Sequence, residues 1–181
     1  MAKLVSKTYG EALFELATEE HILEDMTQEV TAVKDVFAQN PELVKLLNHP
    51  KIGKEEKLQV VENVFKGRIS DYLVGFLLLV VQKDRYQELP GIFTYFLEQV
   101  KRINKIGVAE VTSAVPLSDA QREQVQKRLL ETTDFESFEM QFQVDPSLIG
   151  GMVIRVGDRV VDSSIRTRLD TMAKELSAVQ L

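Results

Sequence analysis

The spacing of the apolar residues changes once along this chain, close to Lys105. Before that point they recur every three or four residues, which is the period of an amphipathic helix. After it come stretches in which apolar and polar residues alternate, the period of a half-buried strand. We therefore predict a mainly α protein with two domains, a helical one over residues 1–104 and a small α/β one over residues 105–181.

The N-terminal part contains six stretches with helical spacing, which predict a six-helix bundle. The first, Leu4 to Glu20, carries apolar residues on two adjacent strips, so it either lies deep in the bundle or offers one strip to a partner. The fifth, Asp71 to Lys83, is apolar nearly all round and is predicted to be the central helix. The others span 22–38, 41–49 with Asn40 as N-cap and Pro50 at the end, 54–65 and 89–104.

The C-terminal part alternates short strands with helices. Gly157 and Asp158 form a Gly-X pair that suits a two-residue turn, so the flanking segments are predicted to form a β-hairpin. Ser118 and Gln121 have the spacing of a capping box, and Asp162 to Ser164 supplies N-cap candidates for a closing helix. The predicted strands span 106–115, 138–144, 152–156 and 159–161, and the closing helix carries an apolar stripe of Ile165, Leu169, Met172, Ala173 and Leu176.

Composition and spacing argue against several kinds of chemistry. The 22 basic and 28 acidic residues give a net charge of -6, the wrong sign for a protein that binds nucleic acid through phosphate contacts. Cysteine is absent, and His21 and His49 lie in separate connections without metal-ligand spacing. Gly150 and Gly151 lack the Lys and Ser or Thr of a phosphate-binding loop. We expect no catalytic residue, no metal and no cofactor.

A membrane-spanning segment is not expected either. The longest apolar run, Tyr72 to Val81, has ten residues, whereas a helix that crosses a bilayer needs about 20. The N-terminus lacks the continuous apolar stretch of a signal peptide. These features predict a cytoplasmic protein without membrane insertion.

Four arginines cluster in sequence near the hairpin and the closing helix. Such a cluster either binds an acidic partner or solvates one face of the domain, and the sequence leaves both alternatives open. The four are Arg155, Arg159, Arg166 and Arg168.

Segments along the whole chain resemble one protein family. DPSLIGGMVIRVGDRVVDSSIRTRLDTM, Asp145 to Met172, is similar to the C-terminal signature of the ATP synthase delta subunits and their mitochondrial counterpart, the oligomycin-sensitivity-conferring protein. TYGEALFELA, Thr8 to Ala17, resembles the family's first helix, although Gly10 replaces the usual alanine. KDRYQELPGIF, from Lys83, resembles the segment between the fifth and sixth helices, and VTSAVPLSDAQ, from Val111, the start of the C-terminal domain.

The resemblance implies a mechanical role at the cytoplasmic face of the cell membrane. It implies that the helical bundle holds the N-terminal helix of an alpha subunit and that the C-terminal domain holds the end of the b-subunit stalk. The receiving groove is expected between the first and fifth helices, although burial in the core is an equal alternative for each apolar residue there. The candidate partner-binding residues are Tyr9, Ala12, Leu13, Phe14, Leu79, Val80, Lys83, Arg155, Arg166 and Arg168.

Two other functions remain open from the sequence. One is a helical adaptor of a different complex, and the other is an enzyme. Binding of an alpha-subunit N-terminal peptide would distinguish the adaptor from the stator that the resemblance implies, a peripheral-stalk subunit that links the catalytic head to the b-subunit stalk and resists the torque of the rotor. Turnover of a nucleotide would identify an enzyme.

Overall fold

The computed structural model describes residues 2–49 and 51–179. This part of the chain is mainly helical with a small four-stranded sheet, which confirms the predicted fold class at that level. It divides into two compact units, one ending at Val100 and the other beginning at Lys101. Pro50, the predicted end of the third helix, lies outside the described residues.

The helices of the first part have bounds close to those predicted. Ser70 caps the fifth helix, because its Oγ accepts a hydrogen bond from the Leu73 N–H at 3.4 Å. Asn40 precedes Pro41 as predicted, but its side chain donates to the Val36 carbonyl at 2.8 Å and so closes the preceding helix instead of capping the next. The helices are α1 (Ala2–Glu19), α2 (Leu23–Gln39), α3 (Pro41–Asn48), α4 (Lys54–Phe65), α5 (Asp71–Gln82) and α6 (Leu89–Ile103), with a 3-10 turn at Tyr86–Glu88.

One continuous apolar core joins side chains from these helices. α5 contributes Leu73, Leu77 and Val80, each fully buried. The prediction that solvent touches little of α5 is wrong, however, since Tyr72 and Leu79 on its outer side are 46% and 44% exposed. No helix among the described residues has both the length and the apolar character that a bilayer crossing requires.

The second unit is built on a mixed sheet with strand order β2-β1-β3-β4. β1 pairs in parallel with β2, so the chain returns between them through a helix, while β3 runs antiparallel to both β1 and β4. The hairpin turn at Gly157, whose φ is +57°, is confirmed. The elements are β1 (Ile106–Ser113), α7 (Asp119–Thr132), β2 (Ser137–Val144), a 3-10 turn (Pro146–Leu148), β3 (Met152–Val156), β4 (Arg159–Asp162) and α8 (Ile165–Val179).

Both helices of this unit begin at side-chain caps that the sequence predicts. Ser118 Oγ accepts from the Gln121 N–H at 3.4 Å, and Gln121 Oε1 accepts from the Ser118 N–H at 2.9 Å, which completes the capping box of α7. Ser164 Oγ accepts from the Thr167 N–H at 3.2 Å and caps α8. Polar side chains thus fix where each helix starts.

Candidate partner-binding surfaces

α1 and α5 contact each other through aromatic side chains, and α5 exposes large apolar side chains on its outer side. The rings of Tyr9 on α1 and Phe76 on α5 pack edge to face with centroids 6.4 Å apart. A hydrogen bond adds to this contact, since the Tyr72 hydroxyl on α5 donates to Oε2 of Glu20, which directly follows α1, at 3.1 Å. That hydrogen bond raises the pKa of Tyr72, because it favours the protonated phenol beside the Glu20 carboxylate.

The exposed side of α5 follows a helical stripe. Tyr72, Gly75, Leu79 and Lys83 are spaced three, four and four residues apart and are all exposed. We call this stripe, together with the half-buried Tyr9 and the exposed Ala12 of α1, the α1–α5 groove, after the groove that the resemblance implies. Large apolar side chains that face water in this way are typical of a surface that a partner covers.

Three of the predicted groove residues do not belong to this surface. Leu13 and Val80 are fully buried in the core, the alternative that the sequence left open for each. Phe14 is half-buried, and its ring lies 6.2 Å from that of Phe96, so it packs towards α6. Of the remaining predicted residues, Ala12, Leu79 and Lys83 are exposed and Tyr9 is half-buried.

Sequence reasoning missed Tyr72, Gly75 and Phe76 as groove residues. Tyr72 and Leu79 stand seven residues apart, which places them on one face of a helix. This spacing can be seen in the sequence. Because most residues between Tyr72 and Leu79 are also apolar, however, the sequence does not show which face of α5 is exposed.

In the second unit, α8 exposes its entire apolar stripe. Ile165, Leu169, Met172 and Leu176 are 44%, 50%, 58% and 70% exposed. Their spacing of four, three and four residues is that of the d and a positions of a coiled coil. A stripe of this kind packs against a second helix when one is available, so we call it the α8 seam.

The predicted arginines are all exposed, but they do not form one cluster. Arg166 and Arg168 lie on α8 at the e and g positions that flank the seam, counting Ile165 as d. Arg155 lies instead on β3, paired with Val160 of β4. Arg166 donates to Ser147 Oγ at 3.3 Å. Hydrogen bonds from Ser147 lower the pKa of Asp145, and the charge of Arg166 adds to this effect.

A second surface of this unit runs between α7 and the hairpin. A cavity of about 850 Å³ there has an apolar floor that includes Leu129, Ile154 and Val161. Val161 is 64% exposed and pairs with Ile154 across β3 and β4. The charged residues that line this cavity are the cations Arg102, Lys105, Arg128 and Arg159 and the acids Asp134 and Asp158. We call this surface the α7 groove. Of its four basic residues, only Arg159 was among those that the sequence analysis named.

The arrangement of His, Asp and Glu side chains in the described residues bears on metal binding. Within residues 2–49 and 51–179, no group of three or more His, Asp and Glu side chains could hold a metal ion. The two histidines, His21 and His49, are exposed. The large apolar side chains exposed in the described part of the chain include Leu79 on α5 and Leu169 on α8.

Comparison with known proteins identifies relatives over almost the full chain. A family model described as ATP synthase delta (OSCP) subunit matches residues 5–176. The chain is 56% identical over 181 residues to ATP synthase subunit delta of Lachnoclostridium phytofermentans, covering 100% of both chains. It is 36% identical over 172 residues to ATP synthase subunit delta of Halalkalibacterium halodurans, covering 95% of this chain and 94% of that relative.

A solved structure shares the fold. A chain in the cryo-EM structure of the Toxoplasma gondii mitochondrial ATP synthase hexamer superposes with a TM-score of 0.71 at 20% sequence identity. The superposition covers 94% of this chain and 96% of that chain.

Proposed function

The chain belongs to the ATP synthase delta (OSCP) subunit family, the peripheral-stalk component of ATP synthase, and from this premise we propose that it ties the catalytic head to the b-subunit stalk. The observation that carries the proposal is that each compact unit leaves its own apolar surface exposed, the α1–α5 groove in one and the α8 seam in the other. A chain with one such surface in each unit can hold two partners at once.

The physical task of this link is to resist torque. The rotor turns inside the head and would drag the head with it unless a stator holds the head still. Non-covalent contacts withstand this load best when they bury a large apolar area and require little ordering of the partners on binding. The side chains of the α1–α5 groove need little ordering when a partner binds, because they belong to helices that pack against the core.

The first partner proposed is the N-terminal helix of an alpha subunit, held by a six-helix bundle. An amphipathic helix laid in an apolar groove contacts it through residues spaced three and four apart. The α1–α5 groove offers Tyr9, Phe76 and Leu79 for such contacts, with Lys83 at one end for a charged or polar group.

The second partner proposed is the C-terminal end of the b subunit, as a helix along the α8 seam. Residues at d and a form the buried contact of a coiled coil, and charges at e and g select the partner. Arg166 and Arg168 therefore favour a helix with acidic residues beside its contact with the first half of α8. Arg155 on β3 adds positive charge to the same unit.

We further propose that the chain catalyses nothing itself and works at the cytoplasmic face of the cell membrane, as a peripheral part of a membrane-associated complex. Incubation of the purified chain with ATP and magnesium is expected to release no phosphate above a buffer control. Sustained turnover that copurifies with the chain would instead support an enzyme.

A charge placed in the α1–α5 groove tests the first partner. We expect Leu79→Asp to weaken binding of an alpha-subunit N-terminal peptide at least about tenfold in calorimetry, because the carboxylate loses hydration under the docked helix. Val44→Asp is the matched control, since Val44 on α3 is 39% exposed against 44% for Leu79. Equal affinities of both variants and the unmodified chain would place the peptide elsewhere.

A further inference from the structure

Two charged residues of opposite sign lie beside the α8 seam. With Ile165 counted as d, Arg168 and Glu175 are both at g positions, seven residues apart. Both are exposed, and neither forms an ion pair with another of the described residues. Each charge is therefore available to a residue of another chain that packs against the seam.

The apolar part of the seam is complementary to itself when two copies of α8 lie antiparallel. In such a pair, each a position packs against a d position of the other helix. Leu169 of one copy then packs against Met172 of the second copy, and Ile165 against Leu176. The pair has twofold symmetry, so each contact occurs twice. All four exposed side chains of the stripe leave water in one register.

The same register pairs the charges beside the seam. The g positions of antiparallel helices face each other, which brings Arg168 of one copy opposite Glu175 of the second copy, again twice. A shift by one heptad in one direction would place Arg168 opposite Arg168, and a shift in the other direction Glu175 opposite Glu175. The charges therefore favour the register that buries the whole stripe.

A parallel pair lacks these advantages. It would gather Arg166 and Arg168 of both copies at one end, where like charges repel, and it would leave Arg168 without an acidic residue opposite. It would also bring two folded units to the same end, because α8 begins at Ile165, shortly after β4. An antiparallel pair keeps these units at opposite ends.

We propose that two copies of this chain associate through α8 as an antiparallel pair when no other partner covers the seam. One short helix from each copy forms a small interface, so the dimer is weak, with a dissociation constant on the order of 100 µM. The inference rests on the residues of α8 and not on the proposed function. Because the b-subunit end is proposed for the same seam, the dimer and the b-subunit complex exclude each other.

Sedimentation equilibrium of the full chain tests the pairing through two charge reversals. We expect Arg168→Glu to place carboxylates opposite each other and Glu175→Arg to place guanidinium groups opposite each other, so each variant alone dimerises at least about tenfold more weakly. An equimolar mixture of the two variants is expected to restore the dimer, because their charges are complementary. Lys174→Glu is the matched control at an f position and is expected to dimerise like the unmodified chain.

Three results would overturn the inference. The first is an unmodified chain that stays monomeric at about 500 µM, several times the expected dissociation constant. The second is a dimer that both charge variants form as readily as the unmodified chain. The third is a mixture of the two variants that dimerises no better than either alone, which would exclude the antiparallel register.

A peptide from the C-terminal end of the b subunit separates this inference from the proposed function. Added to the dimer, it is expected to produce complexes with one copy of the chain each, because both ligands need the seam. If the peptide binds while the dimer persists, the b-subunit end lies elsewhere on the chain. The seam assignment of the b subunit then fails, while the dimer stands on the charge variants.

Discussion

Leu13 and Leu79 are the same amino acid on two neighbouring helices, yet they have opposite roles. Leu13 is fully buried in the core, whereas Leu79 is 44% exposed on the outer side of α5. Burial of a leucine stabilises the folded chain, while an exposed leucine contributes little until a partner removes it from water. The two residues therefore separate stability from binding.

Truncation to alanine is expected to show this difference. Leu13→Ala should lower the free energy of unfolding by about 2 to 5 kcal/mol, because it leaves a cavity in the core. Leu79→Ala should change that free energy by roughly 0.5 kcal/mol or less, as a surface substitution does, while it weakens binding of the alpha-subunit peptide. Denaturant unfolding and calorimetry measure the two effects. Similar destabilisation by both variants would show that Leu79 belongs to the core.

Asp162 has a local role at the start of α8. Its carboxylate accepts hydrogen bonds from the Ser164 N–H and the Thr167 hydroxyl, each at 2.8 Å. Hydrogen bonds from Ser164 and Thr167 lower its pKa from the ordinary 3.8, because they favour the ionised form. The stabilisation that the carboxylate provides is thus complete above its unfolded-state pKa and is lost as the pH falls through the lower folded-state pKa.

Removal of one donor should move this titration. Thr167→Val is expected to raise the pKa of Asp162 towards 3.8, as followed by the carboxyl carbon shift in an NMR pH titration. Thr171→Val is the matched control, because the Thr171 hydroxyl donates to the Thr167 carbonyl and not to Asp162. An unchanged Asp162 pKa in Thr167→Val would show that the hydroxyl contributes nothing.

At the scale of the elements, α8 is a helix whose apolar side faces solvent. Leu169, Met172 and Leu176 are at least half exposed, and the start of α8 is attached to the unit where the Ile165 N–H donates to the Gly150 carbonyl at 2.9 Å. A helix that is fixed at its start and apolar along one side is ready to pair with another helix. The b-subunit end is the partner that we propose for it.

A carboxylate in the seam tests that pairing. We expect Leu169→Asp to weaken binding of a peptide from the C-terminal end of the b subunit at least about tenfold, because it puts a charge at the centre of the contact. Thr171→Asp adds the same charge on the same helix outside the seam and is expected to bind like the unmodified chain. If Leu169→Asp has no effect and Val161→Asp abolishes binding, the b subunit occupies the α7 groove instead.

Local features of the elements could be predicted from the sequence, because neighbouring residues determine them. α4 has the predicted bounds, and the capping box of Ser118 and the turn at Gly157 stand where the spacing placed them. Which face of α5 is exposed could not be predicted, since its sequence is apolar on all sides and the packing of other helices decides the matter. For the same reason the sequence did not separate Leu13 and Val80 from the groove.

Three of the basic residues around the α7 groove escaped prediction for a related reason, while Arg159 was found from the sequence. Arg102 with Lys105, Arg128 and Arg159 come from three separate parts of the sequence and line one cavity through the fold of the second unit. A search for neighbouring charges finds Arg166 and Arg168, which are close in sequence, but not residues that only the tertiary structure brings together.

At the scale of the whole molecule, the proposed link has two ends. Each compact unit has its own buried apolar residues, and each exposes large apolar side chains on a helix. The family match over residues 5–176 covers both units, so the α1–α5 groove and the α8 seam both lie within the matched region. The central claim is that one chain holds the alpha-subunit helix and the b-subunit end at the same time.

Native mass spectrometry of the full chain with both peptides tests this claim most directly. We predict a ternary complex with one copy of each component, and we predict that Leu79→Asp loses the alpha peptide alone while Leu169→Asp loses the b peptide alone. Val44→Asp and Thr171→Asp should retain both peptides. Displacement of one peptide by the other, or loss of both peptides from either the groove variant or the seam variant, would contradict a link with two separate ends.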